Sequence, residues 1–108
     1  MKQSYIRLLN LLQGTNDLGI DSVAEKLLEL IAVAHASGKP LTVTEAMNFG
    51  NIASPATLHR KLNQLIEAEL VSQDFEGKNR RTKFLSPTAK ANRHFEKVGK
   101  LIRAAAKG

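Results

Sequence analysis

Ser54, Thr57, Arg60, Lys61 and Gln64 crowd one short stretch of the chain, and Lys78, Arg80 and Arg81 follow soon after it. Hydroxyl, amide, ammonium and guanidinium groups in this mixture do non-covalent chemistry: they hydrogen-bond to base edges and neutralise phosphate oxygens. Covalent chemistry finds little to work with. Ser54 has no nucleophile-elbow context, no glycine-rich phosphate loop is present, and acids such as Asp17, Asp21, Glu67 and Glu69 occupy surface-type positions with nothing to gather them in a cleft. His35, His59 and His94 lie far apart without a carboxylate or cysteine at ligand spacing. No enzyme, metal site or cofactor is expected.

The elements that must position the polar set are legible around it. Ser54 caps a helix whose first residue is Pro55, and Leu58, Leu62, Leu65 and Ile66 recur on one face of it. Ala56, Thr57, Arg60, Asn63 and Gln64 fall on the opposite face, with Lys61 at the border. Two short strands, 70–75 and 82–86, follow, and the residues between them, Glu76-Gly77-Lys78-Asn79-Arg80-Arg81, have the Gly and Asn of a hairpin tip. Cations at such a tip have few core contacts to make and are free to meet a polyanion.

Upstream, Ile6, Leu9 and Leu12 predict a helix over Tyr5–Leu12, and Ser22 with Glu25 forms a capping-box pattern opening a helix to about Ser37, stopped by Gly38 and Pro40. Leu41-Thr42-Val43 reads as a short strand. Thr42 and Glu45 form a second capping-box pattern, starting a brief helix through Phe49 that Gly50 and Asn51 close. After the hairpin, a helix from about Thr88 to Lys107 aligns Ala91, Phe95, Val98, Ile102 and Ala105 on one side and Lys90, Arg93, Lys97, Lys100 and Lys107 on another.

Helix, helix, short strand, helix, helix, strand, wing, strand, helix is the winged helix-turn-helix order. The expected fold class is therefore α+β and mostly helical, a three-helical core with a small antiparallel β-wing plus terminal helices. One domain spans 1–108, with the helix-turn-helix over about 43–69, the wing over about 70–86 and the terminal helix over about 88–107. The run Leu65-Ile66-Glu67-Ala68-Glu69-Leu70-Val71, followed by Asn79-Arg80-Arg81-Thr82-Lys83-Phe84-Leu85-Ser86-Pro87-Thr88, resembles the MarR family of winged-helix transcription regulators. Asn79 stands where that family usually has Asp, Glu69 where it has Gly and Pro87 where it has Leu, and the chain is shorter than usual. The resemblance implies a DNA-binding regulator that works as a dimer built by its terminal helices.

Composition is consistent with these expectations. At 108 residues the chain has room for one modest core and no separate catalytic domain. It has no cysteine, no apolar run of membrane-spanning length and no signal-peptide pattern at its start, which predicts a cytoplasmic protein without a membrane partner. The net charge of +6 is segregated: residues 1–77 hold six Lys/Arg against nine Asp/Glu, whereas residues 78–108 hold ten Lys/Arg against the single acid Glu96. Basicity confined to the wing and tail points to a polyanion.

The expectation is sequence-specific binding of double-stranded DNA by a transcriptional regulator. Thr57 and Arg60 are expected at base edges or adjacent phosphates, Ser54, Lys61 and Gln64 at the backbone, and Lys78, Arg80 and Arg81 at the neighbouring minor groove. A homodimer is expected from the apolar stripe Ala91–Ala105 and the cluster Ile6, Leu8, Leu9 and Leu12, while a small-molecule effector is left open. Two other uses of the fold stay open: a protein–protein interaction module, and a plasmid or phage replication-type DNA-binding domain. An adaptor would present an apolar patch where a DNA reader exposes Thr57, Arg60 and the wing arginines together.

Overall fold

The computed structural model describes residues 2–13, 18–76 and 79–107, the side chains of 11–13, 76, 79–81, 105 and 107 excepted. The elements are α1 (Lys2–Gln13), α2 (Ser22–Ala36), α3 (Val43–Ala46), α4 (Pro55–Glu67), β1 (Val71–Glu76), β2 (Asn79–Pro87) and α5 (Ala89–Lys107). The chain divides into two compact units, one of Asp21–Ala91 and one of Met1–Ile20 with Asn92–Gly108.

The first unit holds the core. Ala24, Leu27, Leu28 and Ile31 of α2, Ala46 of α3, and Leu58, Leu62 and Leu65 of α4 are buried together with Leu70, Val71, Leu85 and Ala91. Each large aliphatic side chain removed from water in this way contributes about 1.5–3 kcal/mol. Ile66, expected with the leucines, is only half-buried at the margin of the stripe.

Helix starts follow from local capping. Ser54 Oγ accepts the Thr57 amide at 3.2 Å, and Pro55 occupies the first turn, where its missing N–H costs nothing. The Thr42–Glu45 box closes in both directions: Thr42 Oγ1 accepts the Glu45 amide at 3.1 Å, and Glu45 Oε1 accepts the Thr42 amide at 2.9 Å. α3 is a single turn, shorter than the expected run through Phe49. The cap of α2 differs from the Ser22 box expected. Asp21 performs it, its carboxylate accepting the Ala24 amide at 2.9 Å, so Ser22 lies already inside the first turn.

Helix ends are equally local. At the end of α2 the Gly38 amide bonds the His35 carbonyl and the Lys39 amide the Ala34 carbonyl, a Schellman closure with Gly38 at φ +82°. α4 ends by the same pattern, Glu69 N–H to the Ile66 carbonyl at 3.0 Å and Leu70 N–H to the Leu65 carbonyl at 2.9 Å. Here the left-handed position, at φ 61°, is occupied by Glu69. The MarR-family pattern has Gly at this point, and the structure gives the reason: the chain must turn through positive φ to enter β1.

β1 and β2 pair antiparallel, with Gln73 opposite Leu85, Asp74 opposite Phe84 and Phe75 opposite Lys83, and an irregularity between Phe75 and Glu76. β1 has the expected length but starts one residue later, whereas β2 is longer than the sequence indicates and begins at Asn79, so Arg80 and Arg81 belong to a strand rather than to the turn. Leu41–Val43 contributes a single bridge, Thr42 with Phe84, supported by the Leu85 amide on the Leu41 carbonyl at 2.8 Å. Thr88 then caps α5: its Oγ1 accepts the Ala91 amide at 3.2 Å and donates to the Glu69 carbonyl at 2.6 Å. Lys90 Nζ meets the Ala68 carbonyl at 2.9 Å, a cation on the negative end of α4.

In the second unit, α1 leaves Tyr5, Ile6 and Leu9 59%, 48% and 42% exposed, and Ile102 of α5 is 42% exposed. Phe95, Val98 and Leu101 are half-buried.

Candidate nucleic-acid interface

α4 turns its leucines inward, and the residues that remain follow from its 3.6-residue period. Ala56, His59, Arg60, Asn63 and Gln64 are exposed, and Thr57 is half-exposed. Ser54 Oγ donates to Thr57 Oγ1 at 3.0 Å, and Arg60 Nη2 lies 3.5 Å from the same oxygen. Ser54, Thr57 and Arg60 thus form one polar cluster over the first turn of the helix, with the guanidinium resting on its surface. Gln64 continues this face a turn further on.

Lys61 lies apart from this cluster. It points to the α2 flank, where its ammonium pairs with the Asp21 carboxylate, and its side chain is only 16% exposed. The Lys61 hydrogen bond, followed by the Ala24 amide, holds the Asp21 carboxyl below the usual carboxylate range. A backbone contact by Lys61 would have to break this pair. The pair ties the cap of α2 to the middle of α4, across a sequence separation no local pattern reports. Glu45 is likewise held below its ordinary value by the Thr42 amide and hydroxyl.

The wing stands beside this face in the same unit. Lys78, and the side chains of Arg80 and Arg81, lie outside the described residues. Lys83 is described, with its ammonium 5.8 Å from the centre of the Phe75 ring, a cation–π distance. A cleft of about 470 Å³, lined by Thr42, Val43, Thr44, His59, Gln73, Thr82 and Lys83, joins α4, α3 and the hairpin. In the sequence His59 looks like an ordinary histidine, and nothing marks out Thr44, Gln73 or Lys83. On the helical wheel His59 sits on the flank of the leucine stripe, the one signal available, but which element faces that flank is a tertiary fact. A second cavity of about 530 Å³, with Glu45, Asp74, Phe75 and Phe84 in its lining, lies between the end of α2, α3 and the hairpin. Among the described residues, no cluster of His, Asp or Glu is arranged to hold a metal, and no helix is long and apolar enough to cross a membrane.

A capped, outward-facing helix following a short turn helix and preceding a two-stranded antiparallel hairpin defines a winged helix-turn-helix protein. The fold is MarR-like. The transcriptional regulator Tm0710 from Thermotoga maritima superposes with a TM-score of 0.69 over 96% of this chain and 68% of its own, at 17% identity. The protein RV1404 from Mycobacterium tuberculosis gives 0.65 over 98% and 65%, at 15% identity, and MarR gives 0.58 over 82% and 61%, at 18% identity. The chain thus spans less than two thirds of the length of the latter two. No family profile and no curated protein matches the sequence.

Proposed function

We propose that the protein binds double-stranded DNA in a sequence-specific manner and regulates transcription, as a cytoplasmic homodimer and without catalysing a reaction. The observation that carries this reading is the outward face of α4, where Thr57, Arg60, Asn63 and Gln64 stand beside a hairpin leading into the basic part of the chain. Thr57 and Arg60 reach base edges or adjacent phosphates, Ser54 and Gln64 anchor to the backbone, and Lys78, Arg80 and Arg81 straddle the neighbouring minor groove. The exposed large apolar residues of the described chain, Tyr5, Ile6, Leu9, Val33, Phe75 and Ile102, all lie off α4. That distribution favours a DNA reader over an adaptor, whose contact face would be apolar. The fold shared with the Thermotoga regulator supports the same use.

Gel shifts against random-sequence duplexes at two salt concentrations, with sequencing of the bound pool, test the proposal. The expected result is a complex that weakens steeply with salt and an enriched inverted repeat whose half-sites lie about one helical turn apart. Absence of a complex at low salt overturns the reading, and a bound pool as random as the input overturns its sequence specificity.

A further inference from the structure

The two cavities at the root of the hairpin differ in charge. One includes the carboxylates of Glu45 and Asp74 in its lining; the cleft between α4 and the hairpin has none among its described residues, and its single charged group there is the Lys83 ammonium. Gln73 and Lys83 fall on one face of the hairpin, Asp74 and Ser86 on the other, where Asp74 is further held by the Ser86 hydroxyl at 2.8 Å.

What remains in the cleft between α4 and the hairpin is a ring of hydroxyl, amide, imidazole and ammonium groups contributed by α3 with its cap, α4 and the hairpin. Resting on the reading of α4 as a recognition helix, we propose that this cleft seats a backbone phosphodiester of the DNA strand that passes between helix and wing. Lys83 supplies the charge; His59, Thr44 and Gln73 supply hydrogen bonds. Three features fit a phosphodiester. The space of about 470 Å³ is ample for the group and open to a continuing strand. Groups from a helix and a hairpin converge on it from both sides, as contact with a strand running between them requires. No carboxylate lines the cleft among its described residues, and Glu45 at its margin is occupied by the Thr42 amide and hydroxyl. His59 also shares α4 with Arg60, so the seat would fix the register in which the neighbouring guanidinium meets base edges, the division of labour by which phosphate contacts position and base contacts specify.

Lys83→Gln and His59→Ala, measured against the unaltered full chain, test the seat. Lys83→Gln is expected to lower affinity about tenfold for every duplex alike and to reduce the slope of log affinity against log salt by about one, the signature of one lost phosphate contact. His59→Ala is expected to weaken all duplexes with the slope less affected. Circular dichroism and thermal unfolding check that both variants fold, as both residues are exposed. A second measurement is independent of any duplex: inorganic phosphate titrated into the free protein should shift the amide resonances of Thr44, His59 and Lys83 ahead of those on α2. Normal DNA binding with an unchanged slope in Lys83→Gln overturns the seat and leaves the parent reading standing. Failure of the unaltered protein to bind any duplex, with phosphate still shifting these resonances, sinks the DNA reading and keeps an anion site. Failure of both removes both.

Discussion

Arg60 and Glu69 show how differently single residues serve one helix. Arg60 is exposed, with its guanidinium near the Thr57 hydroxyl, so its removal leaves the core intact. Arg60→Ala is expected to weaken specific binding by about 1–3 kcal/mol and to relax base preference at one position of the selected site, as loss of a bidentate guanine contact would. Unchanged affinity and an unchanged selected sequence would remove Arg60 from the reading face. Glu69, in contrast, holds a left-handed backbone conformation that L side chains resist. Glu69→Gly should stabilise the fold by roughly 0.5–1 kcal/mol, a rise in melting temperature of a few degrees. A melting temperature equal to or below that of the unaltered protein would show that the Glu69 side chain compensates for its own strain.

At the scale of elements, α2 and α4 share a core of leucines and one ion pair, Lys61 with Asp21. The pair is partly exposed and is worth at most about 1 kcal/mol. Its sign with pH is fixed. A carboxyl held below its ordinary value contributes stability above the unfolded-state value of roughly 3.9 and loses it as pH falls through the folded-state value. Asp21→Asn keeps a good helix cap but removes the charge, so the variant should be less stable at neutral pH and converge with the unaltered protein in acid. A stability gap that persists undiminished at low pH would assign the effect to packing instead.

The same pair marks where the sequence stopped being informative. The leucine stripe, the Ser54 and Thr42 caps, and the Gly38 stop are local patterns, and each was legible because local hydrogen bonding decides it. Asp21 and Ser22 are both good caps, and the choice between them is made together with Lys61, far along the chain. A wheel places Lys61 at the helix border and His59 on a flank, but it does not show what faces them. The third strand reduces to one bridge at Thr42 for a similar reason: β pairing depends on the partner, not on the three residues Leu41 to Val43.

For the whole molecule the telling residues are Tyr5, Ile6, Leu9 and Ile102, large apolar side chains left in water. Side chains of this size left about half exposed in the two terminal helices match a two-fold contact between copies, and such a dimer would place two recognition helices on one duplex. Sedimentation equilibrium at micromolar concentration is expected to give twice the 11.8 kDa chain mass. Ile102→Asp should return the protein to a folded monomer, because this residue is already partly in water. A single-chain mass throughout, or unfolding of Ile102→Asp, would sink the dimer.

The hairpin has one more consequence, for colloidal behaviour. β2 is flanked on one side by Thr42 and on the other by β1, while β1 pairs with β2 alone in the described sheet. An uncovered edge strand offers a template on which a second extended chain could grow. Here the offer is blunted twice. Asp74 keeps a carboxylate in the middle of the short edge, anchored by the Ser86 hydroxyl, and the break in register at Phe75 and Glu76 interrupts its straight run. A charge and a register break on an uncovered edge are devices that disfavour edge-to-edge growth of sheets, so Asp74 is positioned as a gatekeeper against fibrous self-association.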